Sequence, residues 1–481
     1  MKRIVTAEQA RAFDRAHIAA GASSRAWMRT AAEGIAQAVQ SLHTGTETVT
    51  AISGTGNNGG DGVCAAWLLK RAGVDARIVL CGSEASCTAD TAYYLNAAKD
   101  AGVPIQSEWK PVERELLIDA LFGVGLNRPI EGEAYVLIQR MNDSGKPIVS
   151  ADLPSGLDAD SGRVKGIAVK AAATVTMQAI KAGMLLGKGR ALCGTVTVQP
   201  LASDPNEPDM AWLEEADIAP LLPKRPFDSH KGMNGHALLC VGSKTYPGAA
   251  LLCAKAALRG GAGLVSVCTP DPVRPFFAAL PEAITIPTGT DDWCKDAAKS
   301  AIPAMERKQA IGIGCGAGDG DLQPVLEAAL KSGTKLVLDA DALNQLARKR
   351  ELLRLLHENV VLTPHAGEMA RLLGTTVDAV LSDPLGAVKT FPCTTLLKGA
   401  TTLVHFGGKT AFLTFGNPGL AKGGSGDVLT GLITALLAQG LSPFDAARAG
   451  AYLLGTSADR AMKLLGERML LASDVIDMVS Y

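Results

Sequence analysis

The sequence predicts an α/β protein built as two tandem domains, on three observations. Apolar strand-like runs alternate with helical ones along most of the chain, and glycine-rich or acidic turns follow several of those strands. One Pro- and acid-rich stretch, 203-SDPNEPDMAWLEEADIAPLLPKRPFDSHKG-232, breaks the rhythm and marks a boundary. Finally, 481 residues exceed one ordinary domain. Domains are expected at 1–205 and 225–481, with a linker at 206–224.

Residues 7–41 are Ala-rich and read as helices leading into a first strand, 47-ETVTAI-52. The turn 53-SGTGNNGGDG-62 and a helix, 63-VCAAWLLKRAG-73, follow. Next come a strand at 76–82, a helix at about 89–101, and strands opening 115-ELLIDALFGVG-125 and 147-PIVSADLPSG-156. Strands alternating with helices imply a parallel sheet covered on both faces, with ligands at the strands' carboxyl ends. The second series includes 236-HALLCVG-242, 263-GLVSVCTP-270, 309-QAIGIGCG-316, 335-KLVLDADALN-344 and 394-TTLLKGATTLV-404. It closes on 416-GNPGLAKGGSGDVLTGLITALLAQG-440, where Val428, Leu429, Leu432, Ile433, Leu436 and Leu437 build one buried helix face.

Composition excludes several classes. Hydrophobic residues make up 47% and charged residues 20%, with 47 Lys and Arg against 48 Asp and Glu. This balance leaves no electrostatic footprint for nucleic acid or a membrane surface. The N-terminus lacks an apolar signal core, and the run after Asp427 is broken by Gly, Thr and Gln. Ten scattered cysteines without a C-x-x-C pair argue against zinc and disulfides and for a reducing compartment. A cytoplasmic location and a homo-oligomer are expected.

GTGNNG fits the dinucleotide fingerprint, but Asp61 at the helix start would repel a pyrophosphate unless a cation or hydroxyl intervened. Carbonyl oxygens of Asn57 and Asn58 suit a hard cation. As plain structural groups, these residues would cap the helix and fill the turn. Asp119 and Asp152 each stand at a strand end, with Ser155 beside the latter. Asn58, Asp119 and Ser155 together make an oxygen-only cation site, leaving Asp152 as a free carboxylate for general-base work or ribose binding. In the second half, the Gly-Ser-Gly turn at a helix N-terminus forms an anion hole for a phosphoryl group. Asp427 is placed there to take a proton from an attacking hydroxyl. Asp339 and Asp341 suit Mg²⁺, directly or through water, or capping. Lys398 and Gly399 suit nucleotide phosphates or a surface hairpin, and His365 by itself reads as structural.

The trio GTGNNGGDG, DALFGVGLNRP and ADLPSGLDADSG, with 181-KAGMLLGKGRALCGTVTV-198, resembles the NAD(P)H-hydrate epimerase domain over residues 1 to about 205. That resemblance implies a Rossmann-like three-layer α/β/α fold. It implies substrate contacts from Asn57, Asn58, Gly59, Gly60 and Asp61 and from Gly123, Val124, Gly125, Leu126, Asn127, Arg128 and Pro129. It also implies K⁺ on Asn58, Asp119 and Ser155, with Asp152 binding substrate at the reacting centre. The segment 26-AWMRTAAEG-34 departs from the family's LMExAG-like stretch. Residues 225–481 resemble the ADP/ATP-dependent NAD(P)H-hydrate dehydratases of the ribokinase-like superfamily. The match is carried by SHKGMNGHALLCVGS, YPGAALLCAKAALRGGAGLV, LTPHAGE and GNPGLAKGGSGDVLTG. This implies hydrate contacts from Ala249, Gly316, His365 and Asp427, and nucleotide contacts from Lys398, Gly399, Ala400, Thr401, Thr402 and Gly426. Where the family has GPGLG, this chain reads 313-IGCGAGDGD-321.

The implied activity is repair of NADH and NADPH hydrates. The first domain exchanges R and S epimers; the second uses Mg²⁺ and ADP to phosphorylate and eliminate the hydroxyl. ADP against ATP stays open, because no residue type reads one phosphate. GGSGD alone also fits a small-molecule kinase with a non-catalytic N-terminal module.

Overall fold

The computed structural model describes residues 1–481, which divide into two compact units, Lys2–Pro208 and Asp209–Tyr481. The first unit's main sheet is parallel throughout. Its strand order is Ile105–Gln106, Ala76–Leu80, Thr48–Ser53, Glu115–Ala120, Ile148–Ala151, Ala173–Met177, Thr195–Gln199. Thr48–Ser53 and Glu115–Ala120 are buried along almost their whole length, as strands covered on both faces must be, with their polar residues inside. Its helices bury Ile35, Val39, Val63 and Leu69 against one face and Ile138 and Met141 against the other. The chain leaves Thr48–Ser53 toward one edge and returns to pair Glu115–Ala120 on its other side. The two strands' following loops therefore diverge and open a crevice between them.

The second unit repeats this logic. Its sheet runs Ile284–Pro287, Leu264–Thr269, His236–Cys240, Ala310–Ile313, Lys335–Leu338, Val360–Leu362, Thr394–Leu397, Thr402–Phe406, Lys409–Leu413, Met210–Trp212. Order reverses between His236–Cys240 and Ala310–Ile313. The helix Ser425–Ala438 lies in the middle, packed on Pro247–Arg259 and Pro443–Leu465. All residues from Val428 to Ala438 are buried, not the single face that its periodicity predicted. Two helices and the sheet enclose it, and Thr430 and Thr434 point their hydroxyls to Asp339 and to the helix backbone.

Three further expectations change. The helix expected at 63–73 begins at Asn57, so Asn57–Asp61 are its first residues and Gly56 is the N-cap. None of the glycines in this turn takes a positive φ. They are needed for close approach: a Cβ on Gly59 would sit 1.9 Å from the Gly54 carbonyl, and one on Gly62 2.4 Å from Ala120 Cβ. The segment 394–404, placed among the strands with a surface hairpin left open at Lys398 and Gly399, is a tight antiparallel hairpin turning at 398–401. Within the expected linker 206–224, Met210–Trp212 joins the second sheet beside Lys409–Leu413, and Glu215–Ile218 is a helical turn. All ten cysteines are free, with only Cys81, Cys87 and Cys294 partly exposed. No helix is long and apolar enough to cross a membrane.

Contact between Ser425–Ala438 and Pro247–Arg259 rests on Gly431, where a Cβ would meet the Cys253 carbonyl at 2.2 Å. Gly431→Ala is expected to cost about 1–3 kcal/mol, read from the denaturant midpoint of the second unit. Gly248→Ala, with nothing within 4 Å of the added carbon, serves as the control and leaves that midpoint unchanged or higher.

Candidate active sites

In the first unit the three signature loops leave adjacent strands, Thr48–Ser53, Glu115–Ala120 and Ile148–Ala151. They meet at the crevice where strand order reverses. Gly123 packs on Asn58, a Cβ there standing 3.0 Å from Asn58 Oδ1. The loop 123–129 is tied down where Lys165 Nζ donates to the Leu126 carbonyl at 2.7 Å. Asp119 is fully buried. Its Oδ2 accepts from Ser155 N and Ser150 Oγ at 2.8 Å, and its Oδ1 accepts from Ser155 Oγ at 2.5 Å. Burial raises the Asp119 carboxyl above its ordinary range, with the Ser155 and Ser150 bonds opposing that rise.

These residues fit a monovalent cation. The donors around Asp119 and Ser155 are oxygens, and the Phe122 carbonyl lies 3.3 Å from Ser155 Oγ. The buried Asn58 amide nitrogen has no hydrogen-bond partner, so the side-chain amide is free to present its oxygen instead. A cation would also neutralise a carboxylate that otherwise lies buried without a positive partner.

Asp152 is not the free carboxylate expected. It takes a left-handed φ of 64°, a costly conformation for a non-glycine residue. The conformation is pinned by Asp152 N donating to the Val175 carbonyl at 2.7 Å. Its Oδ1 accepts from Lys181 Nζ, from Met177 N at 3.1 Å and from Thr176 Oγ1 at 3.2 Å. None of these bonds uses Oδ2. Lys181 is only 2% exposed and also bonds Thr176 Oγ1 at 3.0 Å and the Met177 carbonyl at 2.9 Å. Sequence reasoning quoted Lys181 inside a motif without giving it a role. One cation inside the apolar run MQAIKAGMLL was the available signal, since a buried lysine requires a partner. Asp61 faces the same group: burial first, then the charges of Asp152 and Asp14, hold its carboxyl well above the ordinary value. It is not a cap, lying fifth in its helix. The site thus pairs an acid biased toward its neutral form with a carboxylate held by a lysine.

In the second unit the residues expected to touch substrate also gather at the reversal of strand order. Gly316 has φ 60°, and a Cβ on it would stand 2.5 Å from Ala249 Cβ, so only glycine fits. Asp427 is the third residue of its helix, after Gly424 at φ 97°. Its carboxyl is raised to about 6, chiefly by burial and then by the Asp339 charge, while Cys315 and Lys398 pull the other way. Cys315, fully buried and standing where the family has Pro, is a neighbour that sequence reasoning did not weigh.

Asp339 and Lys398 form the centre of this site. Lys398 Nζ donates to Asp339 Oδ1 at 2.7 Å and lies 3.6 Å from Glu368. Burial works to lower the Lys398 ammonium, but Asp339 and Glu368 outweigh it and the net shift is upward. Asp339 Oδ2 accepts from Thr430 at 3.0 Å, and Asp341 accepts from Gly318 N at 2.7 Å and from Asn344 Nδ2 at 3.2 Å. Each of the four carboxylate oxygens accepts a protein hydrogen bond, as both oxygens of Asp119 do. A Cβ on Gly426 would lie 3.3 Å from Asp339 Oδ2 and 3.6 Å from Lys398 Nζ, which brings the Gly-Ser-Gly turn to the same place. The turn bearing Gly399, Ala400 and Thr401 leaves from Lys398, and Thr402 opens the next strand.

His365 is both structural and available. As N-cap of Ala366–Leu373 its Nδ1 accepts from Gly367 N at 3.0 Å, while Glu368 returns the bond to His365 N at 2.8 Å. The imidazole remains about half exposed, with Nε2 3.4 Å from Glu368 Oε1.

Comparison with known proteins agrees with this reading of both units. Residues 24–183 match the family described as YjeF-related protein N-terminus, and residues 237–480 match NAD(P)H-hydrate dehydratase. A bifunctional NAD(P)H-hydrate repair enzyme of Coxiella burnetii is 35% identical over 97% of this chain and 96% of its own. Among solved structures, a ribokinase-like superfamily protein of Enterococcus faecalis matches 58% of this chain and 96% of its own, at 26% identity and a TM-score of 0.50. An ADP/ATP-dependent NAD(P)H-hydrate dehydratase of Bacillus subtilis, co-crystallised with ATP and Mg²⁺, covers 56% of this chain and 95% of its own, at 31% identity and a TM-score of 0.49. With both units matched and one relative alike along nearly its whole length, the chain belongs to the family of bifunctional NAD(P)H-hydrate repair enzymes.

Proposed function

We propose that the two units act in sequence on the hydrated nicotinamide ring, and that ADP is the phosphoryl donor. The observation that carries this reading is a pair of carboxylates, Asp152 held through Oδ1 at the end of Ile148–Ala151 and Asp427 raised to about 6 at the start of Ser425–Ala438. In the first unit Asp152 Oδ2 accepts the C6 hydroxyl proton as the N1–C6 bond opens to an aldehyde. Asp61, as the neutral acid, gives a proton to N1. Rotation about C5–C6 and reclosure on the other face returns both protons and inverts C6. Lys181 orients Asp152 through their hydrogen bond. Residues 57–61 and 123–129 cradle the nucleotide. Asn58, Asp119 and Ser155 would hold K⁺, which would supply positive charge for the substrate's phosphate.

In the second unit Asp427 accepts the C6 hydroxyl proton while that oxygen attacks the donor's terminal phosphorus, giving AMP from ADP. Backbone N–H groups at the start of Ser425–Ala438, with Gly426, take the transferring phosphoryl. Lys398 to Thr402 hold the donor, and Ala249, Gly316 and His365 hold the hydrate. Asp339 and Asp341 would hold Mg²⁺, directly or through water, and it would neutralise charge on the donor's phosphates. The N1 lone pair then expels phosphate from C6, and loss of the C5 proton restores the dihydronicotinamide.

Mixed R and S NADH hydrate with ADP, Mg²⁺ and K⁺ is expected to regain reduced-nicotinamide absorbance completely. A stable phosphorylated product without that absorbance would mean a kinase instead. Asp152→Ala is expected to slow epimer exchange by about 10²–10⁴-fold, with S-hydrate dehydration untouched. Lys181→Met should behave alike and Lys181→Arg recover part of the rate, as followed by chromatography of the two epimers. Replacing K⁺ with Li⁺ should slow epimerisation alone. For dehydration, kcat/KM should fall as pH drops through about 6, where Asp427 protonates and ceases to be a base. Asp427→Asn should lose the reaction while keeping nucleotide affinity by calorimetry.

A further inference from the structure

Between the helices Asp341–Arg348 and Ala366–Leu373 lies a groove of about 470 Å³, lined by Asn344, Ala347, Arg348 and Arg371. Both arginines turn back toward the carboxyl edge of the sheet. Arg371 Nη1 lies 3.8 Å from the point that a Cβ on Gly367 would occupy, and His365 Cε1 is 2.9 Å from that same point. The guanidinium and the imidazole already assigned to the hydrate thus both border Gly367. Arg348 reaches Asp319 at 3.9 Å, on the loop that carries Gly316.

Arg371 is held in place rather than free to wander. Its Nε donates to Asn344 Oδ1 at 2.9 Å, Asn344 Nδ2 donates to Asp341 at 3.2 Å, and Asp341 accepts from Gly318 N at 2.7 Å. This chain of bonds orients the guanidinium plane and leaves its Nη groups without a protein acceptor. The Arg348–Asp319 pair is exposed on both sides, so it contributes little and yields readily to a stronger anion. Lys398, in contrast, is already neutralised by Asp339 and Glu368. A dinucleotide whose ring reaches Asp427 and His365 still carries phosphates that need positive partners outside the ring pocket. Planar guanidinium groups in fixed orientation match phosphate oxygens well.

We infer that this groove is the phosphate subsite for the hydrated dinucleotide, with Arg371 as its fixed anchor and Arg348 as the second cation. The inference rests on the dehydratase reading of the second unit. The phosphate comes from one of two sources: the pyrophosphate that both hydrates carry, or the 2′-phosphate of the NADPH form alone.

The test is calorimetric titration of the full chain with S-NADH hydrate and S-NADPH hydrate, without donor nucleotide, beside steady-state kinetics. Arg371→Ala and Arg348→Ala should each weaken hydrate binding by about 10- to 100-fold, while kcat and the KM for ADP hold. Weakening toward both hydrates assigns the pyrophosphate, and toward S-NADPH hydrate alone the 2′-phosphate. The phosphate-free hydrate of reduced nicotinamide riboside should be indifferent to either variant. Unchanged affinity for both dinucleotide hydrates would overturn the inference, as would a loss falling on ADP instead. Because binding is read without turnover, a wild-type chain that fails to dehydrate sinks the proposed function and still leaves the groove decided.

Discussion

Both sites depend on one geometric constraint, the reversal of strand order in each sheet. Two hydrogen-bonded parallel strands must send their connections to opposite sides, and the space between those connections cannot be filled by either. In the first unit the reversal lies between Thr48–Ser53 and Glu115–Ala120; in the second, between His236–Cys240 and Ala310–Ile313. What lines each crevice is then decided by how closely backbone can approach backbone. Gly59 and Gly62 bring their helix onto the strand ends, and Gly316 fits against Ala249 because it has no side chain.

Charge is handled similarly in the two units. A lysine holds a carboxylate in each, the buried Lys181 for Asp152 and the half-buried Lys398 for Asp339. A second acid nearby is pushed upward by burial and by that ionised neighbour, Asp61 in one case and Asp427 in the other. An acid raised by burial beside an ion-paired carboxylate suits a hydroxyl that must be deprotonated. The partners differ in consequence. Asp152 keeps one oxygen clear of these bonds, whereas both oxygens of Asp339 are bonded, so Asp339 organises Lys398, Thr430 and the start of the glycine turn.

Much of this was legible from residue order because the signals are local. Strand, glycine turn and helix follow one another within a few tens of residues, and SGTGNNGGDG, ADLPSG and GGSGD each sit at such a junction. Errors arose where a local pattern had a tertiary cause. The glycines of 54–62 read as turn residues, yet they are close-approach residues, so the helix starts at Asn57. TTLLKGATTLV reads as strand with a hairpin at Lys398 and Gly399 as only one of two options, because no periodicity marks a chain reversal at Lys398–Thr401. Ser425–Ala438 shows a one-sided stripe but is enclosed on every side, since small residues such as Gly431 and Ala435 face its packed neighbours.

By itself the amino-acid order determined the alternation of elements, the two-domain division and the carboxylates at strand and helix ends. Those properties depend on neighbours within a turn or a strand's length. Only the tertiary structure decided that Lys181 holds Asp152, that Asp339 is taken up by Lys398 and Thr430, and that Arg371 is held by Asn344. Each of those pairs joins separate elements. Whether a charge is free, neutralised or aimed depends on distances that sequence separation does not encode.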